Sequence, residues 1–422
     1  MSTPSSRVLG APEAYFQLVD RLWPVNSVLA VEISADPAAV AAAWTATFER
    51  MPVLGAQIRI VDRRPEVVFA GTPAPEIWRS FATVEEAMAA QVMEPLDTEQ
   101  SIARCAIVEG DRITTAVLAA HHSLVDGRAL IQVALTLGAL ASGEEPADQP
   151  LFRPSVSVDA LVADRTDARG RRRELLALAR EVRDEEGYVD RADPLTWHDT
   201  AIDRPRDIEY AQFRFDVDRS AALLAHARSI GATVYGVVCA ALLRSCAELS
   251  PGVARVGLST PVDLRAATRI PDSAPVGQAA ALISGSYDVT VSDSELARAV
   301  SAGVRRQVDR GEAELLFALT GAARMPIGPE SDEVVRRWHA DATQTVCVSN
   351  IGVMPGPLPS AMRGVTMCLA PTPNQGVFFV VMTVGGQLHV TMGYDLNRIS
   401  IDGGLLAKTI EARLVSYIDS QP

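Results

Sequence analysis

Hydrophobic and polar positions alternate along the first 150 residues so that strands and helices are predicted in turn. The apolar, β-branched run at 28–33 predicts a strand. Asp36 and Pro37 then provide an N-cap and a first-turn proline for a helix that ends before Pro52. The apolar positions of this helix recur at every fourth residue: Val40, Trp44 and Phe48. This spacing is typical of an amphipathic helix.

The rest of this region continues the alternation. A short strand region is predicted at 53–61 and a helix at 83–92. An apolar strand at 113–120 then leads directly into a pair of histidines. A further helix is predicted at 129–140, shortly after that pair.

Residues 151–210 differ from both of their flanks. Proline and aspartate interrupt each end of the segment, and its middle is a polar helical stretch that contains the basic run 169–173. Mixed charge of this kind is typical of a solvated helix face. We therefore interpret 151–210 as a connection between two halves of the chain.

The alternation resumes beyond this connection. Helices are predicted at 233–249 and after Ser292, where a serine and a glutamate stand at capping-box spacing. The predicted strands lie at 211–217, 256–260, 345–349, 377–384 and 388–393. Sheet and helix are mixed on both sides of the connection, which predicts a mixed α/β (α+β) fold with an N-terminal half at 1–150 and a C-terminal half at 211–422.

Composition excludes several classes of protein. The chain has 422 residues, of which 48% are hydrophobic, enough for two domains or one large core. Its net charge of −13 has the wrong sign for a nucleic-acid-binding protein. No run approaches the roughly 18 apolar residues of a transmembrane helix, and the start lacks the apolar stretch of a signal peptide. We therefore expect a cytoplasmic protein without a membrane segment.

Two residue types narrow the chemistry further. Lys408 is the only lysine, and its surroundings match neither a Gly-Lys-Ser/Thr phosphate loop nor a pyridoxal phosphate site, so both classes are excluded. The cysteines are widely spaced and form no Cys-x-x-Cys pair, which indicates small buried hydrophobic residues rather than a zinc site or a disulfide framework. They are Cys105, Cys239, Cys246, Cys347 and Cys368. We expect no metal and no redox cofactor.

One pattern carries candidate chemistry, at the end of the strand predicted at 113–120. It reads His121-His122-Ser-Leu-Val-Asp126-Gly127. Adjacent residues of a strand face opposite sides, so only one of the two histidines can point into a given cleft. A neutral imidazole is suited to general-base work because its pKa lies near neutral pH. The aspartate four residues later is placed to hold the backbone or to orient the ring.

Purely structural explanations exist for the same residues. A strand that runs into a loop can end in polar side chains, and Asp-Gly is an ordinary turn pair. Asp126 can also cap the helix that follows it. The chain has no Gly-x-Ser-x-Gly elbow and no cysteine in a thiol-catalysis pattern. A histidine base would therefore act on a substrate hydroxyl or amine, in a direct transfer between two substrates.

The pattern at 121–127 resembles the active-site signature of the condensation-domain and chloramphenicol acetyltransferase superfamily of CoA- or carrier-dependent acyltransferases. Leu54 after Pro-Val, the segment 261–265 and the segment 349–352 are similar to further family segments in order and spacing. The likeness covers most of the chain. It is greatest to polyketide-associated acyltransferases of the phthiocerol dimycocerosyl transferase type.

This resemblance implies two sandwich halves with an active-site tunnel between them. It gives His122 the role of general base and makes Asp126 a mainly structural residue that pairs with an arginine from the other half. Arg265 is the candidate for this arginine, unless it is an ordinary solvated side chain. Asn350 either lines the tunnel or forms a turn. The supporting residues are His121, Gly127, Arg265 and Asn350.

The chain also departs from the family. Plant relatives and many condensation domains carry an Asp-Phe-Gly-Trp-Gly-like segment near the C-terminus, where this chain has only Gly-Tyr-Asp at 393–395. Asp395 therefore receives no catalytic role. Since no adenylation or carrier sequence accompanies the domain, we expect a stand-alone transferase rather than part of a peptide synthetase.

The resemblance implies an acyltransferase that moves an acyl group from a thioester directly to a hydroxyl of a lipid- or polyketide-like acceptor. The donor substrate would be acyl-CoA or an acyl phosphopantetheine on a carrier protein, and no cofactor would be bound permanently. We expect a monomer. The alternatives are an N- or O-acetyltransferase of an antibiotic-like small molecule and a non-catalytic, carrier-binding domain.

Overall fold

Strands and helices account for most of the chain in the computed structural model. It describes residues 5–69, 75–79, 81–147, 157, 170, 173–174, 176–181, 191–265, 278–319 and 325–419. Half of the predicted connection at 151–210 and most of its basic run at 169–173 lie outside these residues. The boundaries of the two halves therefore stay a prediction.

The strands and helices are numbered in chain order. The strands are β1 (Ser5–Val8), β2 (Asn26–Ile33), β3 (Gln57–Val61), β4 (Arg64–Phe69), β5 (Glu76–Trp78), β6 (Ala103–Glu109), β7 (Thr114–His121), β8 (Ile208–Phe215), β9 (Arg255–Asp263), β10 (Ala280–Asp288), β11 (Thr345–Val353), β12 (Met362–Cys368), β13 (Gln375–Val384) and β14 (Gln387–Asp395). The helices are α1 (Ala11–Asp20), α2 (Pro37–Arg50), α3 (Val84–Met93), α4 (Gly127–Ala141), α5 (Val217–Ser229), α6 (Val234–Glu248), α7 (Asp293–Asp309), α8 (Glu312–Leu319), α9 (Pro329–Asp341) and α10 (Gly403–Asp419).

Two mixed sheets organise the fold. A five-stranded sheet has the order β12-β2-β7-β6-β5, and a six-stranded sheet has the order β10-β9-β11-β13-β14-β8. A smaller sheet, β1-β4-β3, is formed separately, without strand pairing to either. The predicted mixed α/β (α+β) class is confirmed.

One strand crosses between the two parts of the chain. β12 follows β11 of the six-stranded sheet in sequence, but it pairs antiparallel with β2 at the edge of the five-stranded sheet. The C-terminal part of the chain therefore completes the N-terminal sheet through backbone hydrogen bonds. This crossing fixes the position of one sheet relative to the other.

Local signals explain the elements that the sequence predicts well. The Asp36 side chain accepts a hydrogen bond from the Ala39 amide and caps α2, as predicted. Ser292 and Glu295 form the predicted capping box at the start of α7. β7 is buried along its whole length, which fits its apolar sequence and its place in the middle of a sheet.

Each large sheet packs against its own apolar core. One core contains Trp44 and Phe48 of α2, and the other is built around α6, most of whose residues are buried. All five cysteines are free and buried, so their predicted role as small hydrophobic residues is confirmed. Among the described helices none is by itself long and apolar enough to span a membrane, although the bent pair α5 and α6 would pass that test jointly.

We expect Gly236→Ala to destabilise the protein because α6 approaches α7 closely at this glycine. A Cβ at position 236 would lie 2.5 Å from the Ala297 carbonyl oxygen and still closer to Ser301 Oγ. Overpacking of this kind costs about 1–3 kcal/mol, whereas an exposed helical glycine gains up to about 1 kcal/mol from the same change. Urea unfolding gives the free energy of each variant.

Gly404→Ala is the matched control, since Gly404 lies in the first turn of α10. There a Cβ would meet a single flexible group, Asp402 Oδ1 at 3.3 Å. We expect its free energy of unfolding to stay the same or to rise by up to about 1 kcal/mol. Equal stability of the Gly236 variant and the wild type would contradict the close packing of α6 on α7.

Candidate functional site

His122 follows directly after β7, and its half-buried ring lies between two cavities. The larger cavity has a volume of about 500 Å³ and the smaller one about 60 Å³. The two cavities share His122 and four further lining residues: Pro261, Ala280, Leu369 and Phe378. The imidazole is therefore accessible from both sides.

Hydrogen bonds orient the His122 ring. Its Nδ1 lies 3.2 Å from the Val125 carbonyl oxygen and 3.2 Å from Ser27 Oγ. A carbonyl oxygen can only accept, so Nδ1 carries the hydrogen and Nε2 keeps its lone pair. The Phe16 ring packs against the imidazole with a centroid distance of 4.4 Å. The arrangement leaves Nε2 as the basic atom of this residue.

The surroundings keep His122 neutral. Burial lowers its pKa below the ordinary value, and the neighbouring His121 ring acts in the same direction. The hydrogen bond to the Val125 carbonyl and the charge of Asp126 oppose this shift without cancelling it. At neutral pH the ring is therefore an unprotonated base.

His121 faces the other side of the strand, as the alternation of side chains predicts. It is completely buried, and its Nδ1 accepts a hydrogen bond of 3.2 Å from the Ser123 amide. Its Nε2 lies 3.5 Å from Asp20 Oδ1. His121 thus holds the turn after β7, and it lines neither of the two cavities beside His122.

Asp126 connects the histidine turn to the six-stranded sheet. Its Oδ1 accepts hydrogen bonds from the Ala129 amide at 2.9 Å, which caps α4, and from Arg265 Nη2 at 2.8 Å. Its Oδ2 accepts one from the Ala279 amide at 3.1 Å. Asp126 and Arg265 are 2% and 1% exposed. The pairing that the sequence analysis expected for Arg265 is therefore present, and Arg265 is not a solvated side chain.

This ion pair is part of a chain of alternating charges that the sequence analysis did not identify. Arg265 Nη1 also contacts Asp263 Oδ1 at 2.9 Å, and Asp263 Oδ2 accepts a short hydrogen bond from Arg128. Arg128 belongs to α4 and Asp263 ends β9. The four side chains therefore link the start of α4 to the end of β9 at two points.

The network keeps Asp126 ionised. Burial alone raises the pKa of a carboxyl group, but here the charge and hydrogen bond of Arg265 and the amides of Ala129 and Ala279 outweigh it. The pKa of Asp126 is lowered as a result. A charged Asp126 is suited to fixing the loop, since all its contacts come from hydrogen-bond donors.

Gly127 and Asn350 shape the smaller cavity. A Cβ at Gly127 would lie 2.8 Å from the Ile351 side chain, so the glycine allows α4 to approach β11. Asn350 lines this cavity, and its Oδ1 also accepts a hydrogen bond of 3.0 Å from the Gly352 amide. Gly352 has a φ of +85°, which favours glycine. Asn350 therefore both lines a cavity and stabilises a turn, the two alternatives that the sequence analysis gave for it.

Ser27 and Phe16 are further site residues that the sequence analysis missed. They contact His122 from β2 and α1, about a hundred residues earlier in the chain. No local motif marks either residue. In the described part of the chain, no three or more His, Cys, Asp or Glu side chains are grouped as a metal site.

We expect the Asp126–Arg265 pair to stabilise the fold, because removing one partner leaves a buried charge unpaired. Asp126→Asn and Arg265→Gln should each lower the free energy of unfolding by about 3–5 kcal/mol. The double variant should lose less than the sum of the two. Urea unfolding of all four proteins measures this coupling.

Arg128→Gln is the control within the same network. Its side chain is 40% exposed, so the loss should stay below about 1 kcal/mol. Strictly additive effects of the Asp126 and Arg265 substitutions would contradict a direct pair.

Comparisons with known proteins agree with this architecture. Residues 204–393 match the family model described as "Phthiocerol/phthiodiolone dimycocerosyl transferase C-terminus". A search of curated protein sequences found no match.

Three solved structures are similar over nearly the whole chain. Polyketide synthase associated protein 5 from Mycobacterium tuberculosis is 16% identical with a TM-score of 0.69, covering 99% of both chains. The first condensation domain of the CDA synthetase is 16% identical with a TM-score of 0.68, covering 100% of both. The EpoB cyclization-docking bidomain from Sorangium cellulosum is 15% identical with a TM-score of 0.69, covering 100% of this chain and 87% of that one.

The fold and the sequence match point to the same group of proteins. The chain has the fold of condensation domains and of polyketide synthase associated protein 5, and its residues 204–393 match the C-terminal family model of the phthiocerol/phthiodiolone dimycocerosyl transferases.

Proposed function

We propose that this chain transfers an acyl group from a thioester directly to a hydroxyl group, with His122 as the general base. The donor is acyl-CoA or an acyl phosphopantetheine on a carrier protein, and the acceptor is a lipid- or polyketide-like alcohol. The observation that carries this proposal is the His122 Nε2 lone pair on a ring that borders two cavities. The match to a dimycocerosyl transferase family supports it.

The reaction needs one proton carrier and no covalent enzyme intermediate. His122 Nε2 removes the hydroxyl proton as the acceptor oxygen attacks the thioester carbonyl carbon. The tetrahedral intermediate then collapses, its carbon–sulfur bond breaks and the ester forms. The leaving thiolate takes the proton back from the His122 imidazolium, so the enzyme is regenerated.

The cysteines support direct transfer. Cys347 lines the larger cavity, where a thiol nucleophile would have to lie. Burial raises the pKa of its thiol well above the ordinary value, so the thiolate is not populated at neutral pH. The described residues thus include no activated thiol on this wall, and the base is left to act on a substrate hydroxyl.

Two cavities that meet at one imidazole suit a reaction of two substrates. Each substrate can approach from its own side, and both reacting atoms then come within reach of Nε2. The network of Asp126 and Arg265 fixes the backbone that carries the ring. Positioning and proton transfer therefore rest on different residues.

We expect His122→Ala to lose at least about two orders of magnitude in kcat, because general-base assistance contributes about 10²–10⁴-fold. Thiol release from acyl-CoA in the presence of alcohols, followed with a thiol reagent, measures the rate. His226→Ala is the control, since His226 packs against Tyr417 on another helix. Near-full activity of the His122 variant would rule out the proposed mechanism.

The same assay separates the alternatives. Thiol release with amines but not with alcohols would indicate N-acyl transfer. Absence of release with every donor and acceptor, together with binding of acylated carrier protein, would indicate a non-catalytic domain. Either outcome would contradict the proposed O-acyl transfer.

We expect kcat/KM to be constant through neutral pH and to fall only on the acid side. The neutral form of His122 is the base, and burial holds its pKa below the ordinary value of 6.5. Activity is therefore present above the lowered pKa and is lost as the pH falls through it. A pH profile from about 4 to 8 tests this.

Circular dichroism over the same pH range is the control for unfolding. Asp126 has a lowered pKa and stays ionised in this window, so the loop that carries His122 should persist. An acid limb centred above about pH 7 would contradict a neutral, buried base.

A further inference from the structure

The larger cavity contains a second group of polar side chains, apart from His122. Tyr15, Arg206, His339 and Asn374 all line this cavity. Tyr15 belongs to α1 and His339 to α9. Arg206 lies two residues before β8, and Asn374 directly precedes β13. The proposed reaction uses none of them.

Three of these side chains form a hydrogen-bonded chain. Thr372 Oγ1 donates to Asn374 Oδ1 at 2.9 Å, and His339 Nδ1 lies 3.1 Å from the same oxygen. An amide oxygen only accepts, so His339 Nδ1 carries the hydrogen and Nε2 accepts from the Tyr15 hydroxyl at 3.4 Å. The Asn374 amide nitrogen has no hydrogen-bond partner within the described ranges, and its residue lines the cavity.

Arg206 is a half-buried cation without a carboxylate. Its two Nη atoms donate to the carbonyl oxygens of Pro24 at 2.9 Å and Pro371 at 2.7 Å. Its Nε is buried without a partner, and no described carboxylate lies within ion-pair distance. Burial lowers its pKa to about 10, so it remains charged at neutral pH.

Other buried arginines differ from Arg206 in this respect. Arg265 and Arg398 each contact a carboxylate. Arg104 lacks one, but its guanidinium lies 3.5 Å above the Trp78 ring and lines none of the cavities described here. A charge removed from water is costly unless a partner compensates it. Arg206 is compensated only by two backbone carbonyl oxygens and by the more distant charges of Asp395 and Asp20.

Most charged side chains that line the larger cavity and its neighbour are positive. Among its described lining residues the larger cavity has Arg206 and no Asp or Glu. It shares Ser284 with a neighbouring cavity of about 350 Å³. That cavity is lined by three arginines and one carboxylate: Arg191, Arg306, Arg310 and Glu312.

The opposite side of His122 has a different character. The smaller cavity shares Arg128 and Ile351 with a cavity of about 480 Å³ beside α4. The charged residues that line this cavity beside α4 are Arg128, Glu144 and Glu145. On the Arg206 side the charged lining residues of the two cavities are four arginines and one carboxylate, which favours an anionic substrate there.

We propose that Arg206 and the Asn374 amide bind an anionic oxygen group, a carboxylate or a phosphate, on the substrate that reaches His122 through the larger cavity. Aromatic rings line the way between the two ends. Centroid distances are 4.4 Å from His122 to Phe16, 5.4 Å from Phe16 to Tyr15 and 6.5 Å from Tyr15 to His339. The inference rests on the proposed function, because it assumes that the substrate reacts at His122.

Two sources can supply such a group. One is the phosphate of a phosphopantetheine arm, carried by the thioester donor. The other is a carboxylate on the acceptor alcohol. Both would accept charge-assisted hydrogen bonds from the Arg206 guanidinium, and the test has one arm for each.

Calorimetric titration of the wild type and Arg206→Gln with two probe pairs tests the inference. One pair is phosphopantetheine and pantetheine, and the other is an ω-hydroxy fatty acid and the fatty alcohol of equal chain length. We expect the variant to bind the anionic member of one pair about ten- to a hundredfold more weakly. Its affinity for the neutral member should be unchanged, and the pair affected identifies the source.

Further variants separate recognition from folding. Arg206→Lys keeps the charge and should recover part of the affinity for the anion. Asn374→Ala should weaken the same probe by about two- to tenfold. Arg337→Gln is the surface control, because this side chain is 67% exposed and lies outside the cavity. Should Arg206→Gln not fold, the lysine and Asn374 variants decide the result.

Equal weakening of anionic and neutral probes, or no change in either pair, would overturn the inference. The binding assay needs no turnover, so its outcome is independent of the acyl transfer reaction. A wild type that discriminates the anion but transfers no acyl group would contradict the proposed function and leave this site standing.

Discussion

A buried ion pair between Asp126 and Arg265 joins the two large sheets next to the candidate base. Each charge would be costly to bury alone, but the carboxylate accepts hydrogen bonds from Arg265 and from two backbone amides. Asp126 also begins α4, and His122 lies four residues before it. The position of the imidazole is therefore set by a contact whose other partner, Arg265, lies two residues after the end of β9.

The fold makes this junction rigid in two independent ways. β12 adds a strand from the C-terminal part to the sheet that contains β2 and β7. The alternating charges from Asp126 to Arg128 tie α4 to the end of β9. Cavities between sheets held in this way keep their shape, which suits the positioning of two substrates around one side chain.

Burial lowers the pKa of both His122 and Arg206 in the larger cavity, with different results for their charge. At His122 it lowers the pKa and keeps the ring neutral, as a base must be. At Arg206 the charge survives burial, although its pKa is also lowered. The same desolvation thus leaves a neutral imidazole at one end and a cation without a carboxylate in ion-pair distance, among the described residues, at the other. The difference follows from the ordinary pKa values of imidazole and guanidinium.

The sequence by itself determined the features that depend on near neighbours. It predicted the helix after the histidine pair, the caps of α2 and α7, and the single histidine facing a cleft, because these follow from spacing along one segment. Strands β1, β4, β5, β6, β10 and β12 were missed. The Ala-Ala-Leu-Ile-Ser-Gly-Ser sequence of β10 has a weak strand propensity, and its pairing with β9 supplies the stability. Ser27, Phe16, Asp263 and Arg206 became site residues only in the tertiary structure, because contacts between distant segments leave no periodic signal in the chain.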